Sequence, residues 1–171
     1  MKIVVINGSH RKNGNCYQFT RQAVDILSTK HSVQSFDLID CRIEKCNGCL
    51  ICEDGENCPI KDDYSNAIQP ALKEADLIIF ATPTYFNMPS SSLVNLFDRT
   101  NDMCEFFADN TKKAWAFLVG QTDEESVMDA YKCIKTYLDI MCIEMIGEPG
   151  IEIARMPQAV DESVISFLKS I

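Results

Sequence analysis

Ile3-Val4-Val5-Ile6-Asn7-Gly8-Ser9-His10-Arg11-Lys12-Asn13-Gly14-Asn15 is the stretch on which the fold turns. Four consecutive apolar β-branched residues read as a strand buried on both faces, and the polar, basic, glycine-bearing run behind them reads as a loop that opens a helix. Such a junction aims backbone N–H groups and a helix N-terminus at one point, where Ser9, Arg11 and Asn15 add side-chain donors suited to phosphate. The spacing is not that of the common nucleotide loops. Gly8 and Gly14 do not make G-x-G-x-x-G, and no Gly-Lys-Ser/Thr follows. Taken alone the stretch also fits an ordinary strand-to-helix loop with surface charge, so its neighbours decide.

Working outward, apolar runs near Lys2–Asn7, Val33–Asp37, Leu77–Thr82, Ala114–Gly120 and Glu144–Ile153 read as strands. Helical patterns fall near Asn15–Ser28, Tyr64–Glu74, Ser91–Met103, Glu124–Met141 and Asp161–Lys169. In the fourth of these, Val127, Tyr131, Ile134, Leu138 and Met141 recur every three or four residues and form one buried stripe. Five strands alternating with five helices predict a three-layer α/β/α sandwich with a parallel sheet. Ligands of open α/β sheets sit outside the carboxyl ends of the strands, where the strand order reverses. That rule brings together the Gly8–Asn15 loop, the loop after Thr82 and the loop after Gly120.

The 171 residues suit one domain, with residues of about 40–63 as a cysteine-rich insertion that lacks helix or strand periodicity. At 46% hydrophobic the chain can bury a core, and no run is long enough to span a bilayer. Met1-Lys2 leads straight into a strand without a signal peptide, so a cytoplasmic location is expected. The net charge of −9 argues against broad contact with nucleic acid or an anionic membrane. A phosphate ligand must therefore be held by local donors, and His10, Arg11 and Lys12 form such a local exception.

Nine cysteines in a cytoplasmic chain point to metal or redox chemistry rather than to a disulfide framework. Within the insertion, Cys46, Cys49 and Cys52 step by three residues, and Cys58-Pro59 follows. This spacing is closer to [4Fe–4S] ligation than to the paired spacing of zinc sites; free, redox-active or inert thiols are the remaining readings. Cys104, Cys133 and Cys142 lie on or beside helical stretches and read as small core residues. Met103, Phe106 and Phe107 read as loop residues that either cover a ligand or meet another subunit.

After the third strand, Thr82-Pro83-Thr84-Tyr85-Phe86-Asn87-Met88-Pro89-Ser90 combines two rigid prolines, two flat aromatic faces and polar edges. A planar heterocycle with hydrogen-bonding edges suits it, and serines then cap the next helix.

Together, Gly8-Ser9-x-Arg11-x-x-Gly14-Asn15, the compact cysteines with Ile60-Lys61-Asp62-Asp63 behind them, Pro83-Thr84-Tyr85-Phe86, and Leu96-Phe97-Asp98-Arg99 resemble the NAD(P)H-dependent FMN reductase family. Within it the chain is most similar to the iron–sulfur flavoprotein branch. The motifs span residues 1 to about 100 in the family's order; beyond them only a strand–helix pattern matches.

The resemblance implies a flavodoxin-like fold, a five-stranded parallel sheet of order 2-1-3-4-5, and one bound FMN. Ser9, Arg11 and Asn15 would hold its phosphate, with Asn13, Gly14 and Cys16 in the same loop. Pro83, Thr84, Tyr85, Phe86, Asn87 and Met88 would line the isoalloxazine ring, and Gly120 and Gln121 its far side. Backbone N–H groups near Thr84 and Asn87 would stabilise negative charge on the reduced ring. Cys46, Cys49, Cys52 and Cys58 would ligate a [4Fe–4S] cluster. NADH or NADPH would be a transient co-substrate, since no second dinucleotide fingerprint is present, and homodimers or homotetramers would place the flavin near a subunit boundary. His10 stands where the family commonly has proline, and Cys16, a weak hydrogen-bond donor, where it has threonine or serine.

The expected activity is that of an FMN-dependent oxidoreductase passing electrons from NAD(P)H to a quinone, a second flavin or the cluster. One rival is an electron carrier between protein partners. Another is a thiol or metal redox sensor without flavin. A phosphate-receiving signalling domain would need carboxylates at the strand ends, whereas the first and third strands end in Ile6-Asn7-Gly8 and Ala81-Thr82-Pro83.

Overall fold

In the computed structural model, which describes residues 1–171, the opening apolar run is the centre of a twisted parallel sheet. Strand β1 (Lys2–Asn7) pairs with β2 (Ser32–Asp37) on one side and with β3 (Leu77–Tyr85) on the other, Val4 standing opposite Gln34 and Ile78. Strand β5 (Lys112–Gly120) extends the sheet beyond β3. Helices covering both faces of the sheet explain the unbroken apolar runs: Ile3 to Ile6 and Leu77 to Ala81 are all 2% exposed or less.

Alternate side chains of these strands enter two separate cores. Val4, Ile6, Ile78, Phe80, Ala116 and Leu118 face α2 (Gln69–Glu74), α3 (Ser91–Arg99), α4 (Cys104–Asp109) and α5 (Glu124–Ile140). Ile3, Val5, Ile79, Trp115 and Phe117 face α1 (Asn15–Leu27) and α6 (Glu162–Ser170). Trp115 is the largest buried side chain, stacked on Phe167 at 4.8 Å with its indole N–H donated to the Glu148 carbonyl. The three-layer sandwich is therefore as the alternation predicts. On the α5 stripe, Val127, Ile134, Leu138 and Met141 are buried and Tyr131 is half-buried.

The expected count of five strands in the order 2-1-3-4-5 requires correction. Seven strands are present in the order β2-β1-β3-β5-β6, where β6 is Ile143–Met145, with β4 (Met88–Pro89) antiparallel to β3 and β7 (Gly150–Ile153) also on β5. The single fifth strand expected at Glu144–Ile153 is two pieces. Strand β6 (Ile143–Met145) pairs with the start of β5 and β7 with its end, because left-handed Gly147 (φ 63°) and Pro149 interrupt the ladder between them. The extra β4 arises from a tight hairpin, Tyr85 opposite Met88, that hydrophobic periodicity does not reveal.

Helix boundaries shift for local reasons. The segment Tyr64–Ile68 is a wide π-type turn before α2, and Pro70 in the first turn of α2 supplies no N–H to the preceding carbonyls. The helix expected to run to Met103 ends at Arg99, passes through a 3₁₀ turn (Thr100–Met103) and resumes as α4. Met103 and Phe107 are consequently core residues, 0% and 1% exposed, rather than a cover or a contact surface; Phe106 is half-buried. The connection at residues 40–63 has no α-helix or strand, only 3₁₀ turns at Leu38–Asp40 and Ile51–Asp54. No helix is long and apolar enough to cross a membrane.

Candidate functional site

The loop after β1 is fixed by its own hydrogen bonds. The Asn7 amide donates to Asp37 at 2.8 Å and its oxygen accepts the Ser9 N–H at 3.0 Å. Ser9 Oγ accepts the Arg11 N–H at 3.0 Å, and the Arg11 carbonyl accepts the Gly14 N–H at 3.3 Å. Gly14 caps α1 without a side-chain oxygen, and no acidic residue lies in the first turn. The first helical bond runs from the Gln18 N–H to the Gly14 carbonyl, which leaves the N–H groups of Asn15, Cys16 and Tyr17 without helical acceptors. These groups and the helix dipole make a positive pole at the carboxyl end of the sheet.

That pole opens into a cleft of about 400 Å³. Ser9, Arg11, Asn13, Gly14, Asn15 and Cys16 line one side; Pro83, Thr84, Tyr85 and Gln121 line the other. Lys12, read from the sequence as part of the local basic patch, borders it too, as do Val119 and the segment Ala154–Pro157, which the sequence reading missed. The last segment follows β7, so the rule that ligands gather at the carboxyl ends of strands extends to a fourth loop. Arg11, Lys12 and Arg155 border the cleft and no carboxylate does, in a protein of net charge −9. Arg11 and Arg155 form no ion pair, whereas Lys12 pairs with Asp40, whose hydrogen bond raises the lysine pKa.

Four expected lining residues stand elsewhere. Phe86 is 102% exposed and Asn87 is exposed, at the tip of the β3–β4 hairpin with φ of 50° and 60°, the two left-handed positions of a type I′ turn. Asn87 donates from its amide to Asp129 on α5 at 3.2 Å, and Met88 begins β4, so Phe86, Asn87 and Met88 point past the cleft rim. Gly120 is buried at the end of β5, its carbonyl accepting the Ala154 N–H. Tyr85 remains at the rim, stacked on His10 with ring centroids 5.8 Å apart.

Asn15 is occupied within the protein. Its side-chain oxygen accepts the Gln158 N–H at 2.9 Å and its amide donates to the Met156 carbonyl at 3.4 Å. Cys16 beside it is 2% exposed, and burial, reinforced by the charge of Glu152, pushes its thiol far above the ordinary range. Glu152 on β7 is itself 5% exposed; its carboxyl oxygens have no well-formed hydrogen bond, and burial raises its pKa, with Gln158 offsetting this weakly.

A second cavity, of about 660 Å³, is lined by Cys46, Cys49, Cys52, Cys58, Cys104 and Cys133, together with Phe97, Tyr137 and Arg99. Cys104 and Cys133 are only half-buried and Cys142 is exposed, so these three are not the core residues that their helical setting predicts. No three of the thiols are yet gathered as a metal-binding set. Their donor chemistry nevertheless fits a thiolate-held group. Three sulfurs already receive hydrogen bonds, Cys46 from the Gly48 N–H at 3.5 Å, Cys52 from the Asn101 amide at 3.3 Å and Cys58 from Arg99 at 3.6 Å.

With both cavities described, comparison with known proteins is decisive: the pattern that defines the NADPH-dependent FMN reductases matches residues 1–139. The chain belongs to the NADPH-dependent FMN reductase family. Like its family it is an FMN-dependent oxidoreductase. Iron-sulfur flavoprotein MJ1083 of Methanocaldococcus jannaschii is 30% identical over 149 residues, 86% of this chain and 77% of that protein. An iron-sulfur flavoprotein of Archaeoglobus fulgidus is 34% identical over 100 residues, 58% of this chain, and the match spans about half of that relative's length (49%). Among solved structures, the flavodoxin, WrbA-like protein from Agrobacterium tumefaciens superposes over 99% of this chain and 93% of its own with a TM-score of 0.68 and 14% identity, a likeness of fold. This reductase family member thus keeps the flavodoxin-like architecture expected of it.

Proposed function

We propose that the cleft at the carboxyl ends of β1, β3, β5 and β7 holds one FMN, which NADH or NADPH reduces, and that electrons leave to a small acceptor such as a quinone or a second flavin. The observation that carries this reading is the charge pattern of the cleft: three cations, the unpaired N–H groups of α1 and no carboxylate. A doubly negative phosphate matches that set. FMN, when bound, supplies the hydride-accepting ring. Arg11, Ser9 and the first turn of α1 would hold the phosphate. Pro83, Thr84 and Tyr85 would orient the ring from one side and Val119 and Gln121 from the other. The Asn15 contacts hold the 154–158 segment as the outer wall.

Titrating flavin-free protein with FMN and then mixing it rapidly with NADH and with NADPH tests the reading. Tight one-to-one binding followed by bleaching of the flavin is expected. Failure to bind FMN sinks it, and binding without bleaching by either nucleotide favours the electron-carrier reading. That second reading draws its support from the six thiols around the other cavity and from the relatives named iron-sulfur flavoproteins. There Cys46, Cys49, Cys52 and Cys58 would hold a [4Fe–4S] cluster, which iron and labile-sulfide assays on anaerobically prepared protein test. The fully exposed Phe86, with Tyr85 and Met88 beside it, supports a homodimer or homotetramer closing over the cleft rim. Nine unpaired cysteines suit a cytoplasmic setting.

A further inference from the structure

Arg99, the last residue of α3, is the most committed cation in the molecule. Its side chain is 1% exposed and pairs with Asp62, itself 2% exposed. Nη1 also donates to the Glu44 carbonyl at 2.9 Å, and Nη2 to the Ile60 carbonyl at 3.3 Å and to Cys58 Sγ at 3.6 Å. Nε has no partner. The guanidinium lies over the Tyr64 ring at 4.8 Å. The Tyr64 hydroxyl donates to Asp102, which accepts the Gln69 amide at 2.8 Å and the Cys58 N–H at 3.3 Å. Cys58 is thus held twice, through its backbone by Asp102 and through its sulfur by Arg99.

A buried ion pair adds little net stability over apolar residues of equal volume, so stability alone does not explain this investment. The geometry does something more specific. Asp62 sits on one side of the guanidinium and the Cys58 sulfur on another, so the positive end of the pair is presented to the sulfur. We propose that Arg99 is a positioning residue for the group that Cys58 ligates: it fixes the Cys58 sulfur and, through a charge-assisted N–H to it, makes that group easier to reduce. Hydrogen bonds to ligand sulfurs and nearby positive charge both raise the reduction potential of a thiolate-held cluster. This inference rests on the cluster reading given above.

The test compares anaerobically reconstituted wild type, Arg99→Lys and the double variant Arg99→Met with Asp62→Leu, which replaces the pair by apolar side chains of similar volume. Circular dichroism reports folding, iron and sulfide assays report occupancy, and a redox titration reports potential. Both variants are expected to fold, to bind the cluster and to titrate at more negative potentials than wild type. Loaded variants that titrate at the wild-type potential overturn the role of Arg99 while leaving the cluster in place. Two unfolded variants reduce Arg99 to a clamp of the fold and likewise overturn it. Wild type devoid of iron and sulfide sinks the cluster reading, and this inference with it.

Discussion

The side-chain oxygen of Asn15 accepts the backbone N–H of Gln158 at 2.9 Å, tying the start of α1 to the segment that follows β7. Asn15 is therefore a clamp for the far wall of the cleft. Its amide, engaged with the Met156 carbonyl at 3.4 Å, completes that clamp. Asn15→Ala removes both contacts, each worth about 1 kcal/mol, and should weaken FMN binding about tenfold while lowering the melting temperature. Asn15→Asp keeps the Gln158 bond but sets a negative charge beside the phosphate. Calorimetric titration with thermal melts should show affinity lost in both variants but a smaller stability loss in Asn15→Asp, which gives up only the Met156 contact, than in Asn15→Ala; equal stability losses in the two variants contradict the clamp.

Arg11 is exposed and free of any ion pair, so its removal costs the fold nothing. Arg11→Ala should weaken FMN binding by about 1.5–3 kcal/mol, roughly tenfold to a hundredfold, with an unchanged melt of the flavin-free protein. Lys12, already held by Asp40, should matter less. Raising the salt should narrow the gap between wild type and Arg11→Ala. Flavin retention on gel filtration at two salt concentrations measures this, and a gap that widens with salt excludes a phosphate contact at Arg11.

Gly120 ends β5 where α5 crosses it. A Cβ built there would come within 2.3 Å of the Val127 Cγ2 atom, so Gly120→Ala forces strand and helix apart. The expected cost is about 1–3 kcal/mol, read as a lower urea midpoint. Adding Val127→Ala should recover part of the loss, and strictly additive losses would show that the two positions do not collide.

Glu152 is buried without a proper partner, and burial raises its pKa. A carboxyl raised in the folded state carries no penalty below its unfolded value of about 4.3 and destabilises progressively as the pH rises through its folded value. Glu152→Gln should therefore gain stability at neutral pH, on the order of 2–4 °C for each kcal/mol, with the gain vanishing near pH 4. A gain that grows on acidification would reverse the sign and refute the assignment.

Much of the fold was legible because burial on both faces leaves a mark on the chain: Ile3–Ile6 and Leu77–Ala81 can only be inner strands of a parallel sheet. The Ser9–Asn15 loop was legible as a strand-to-helix junction, and only its company with the Thr82–Ser90 run and the compact cysteines singled it out as a candidate phosphate site. Local chemistry also gave the π-type turn before Pro70 no reason to be foreseen, because periodicity averages over single turns. The hairpin that swings Phe86 outward depends on two left-handed residues that are not glycine, which sequence pattern does not flag.

What the sequence determined by itself was the order of buried and exposed segments, hence the layers, the parallel sheet and the end of it where the polar loops gather. Tertiary structure alone decided which distant residues meet. The Ala154–Pro157 wall, the Asn15 clamp and the grip of Arg99 on Cys58 each join positions far apart in the chain, and such contacts are set by how layers stack rather than by any local pattern.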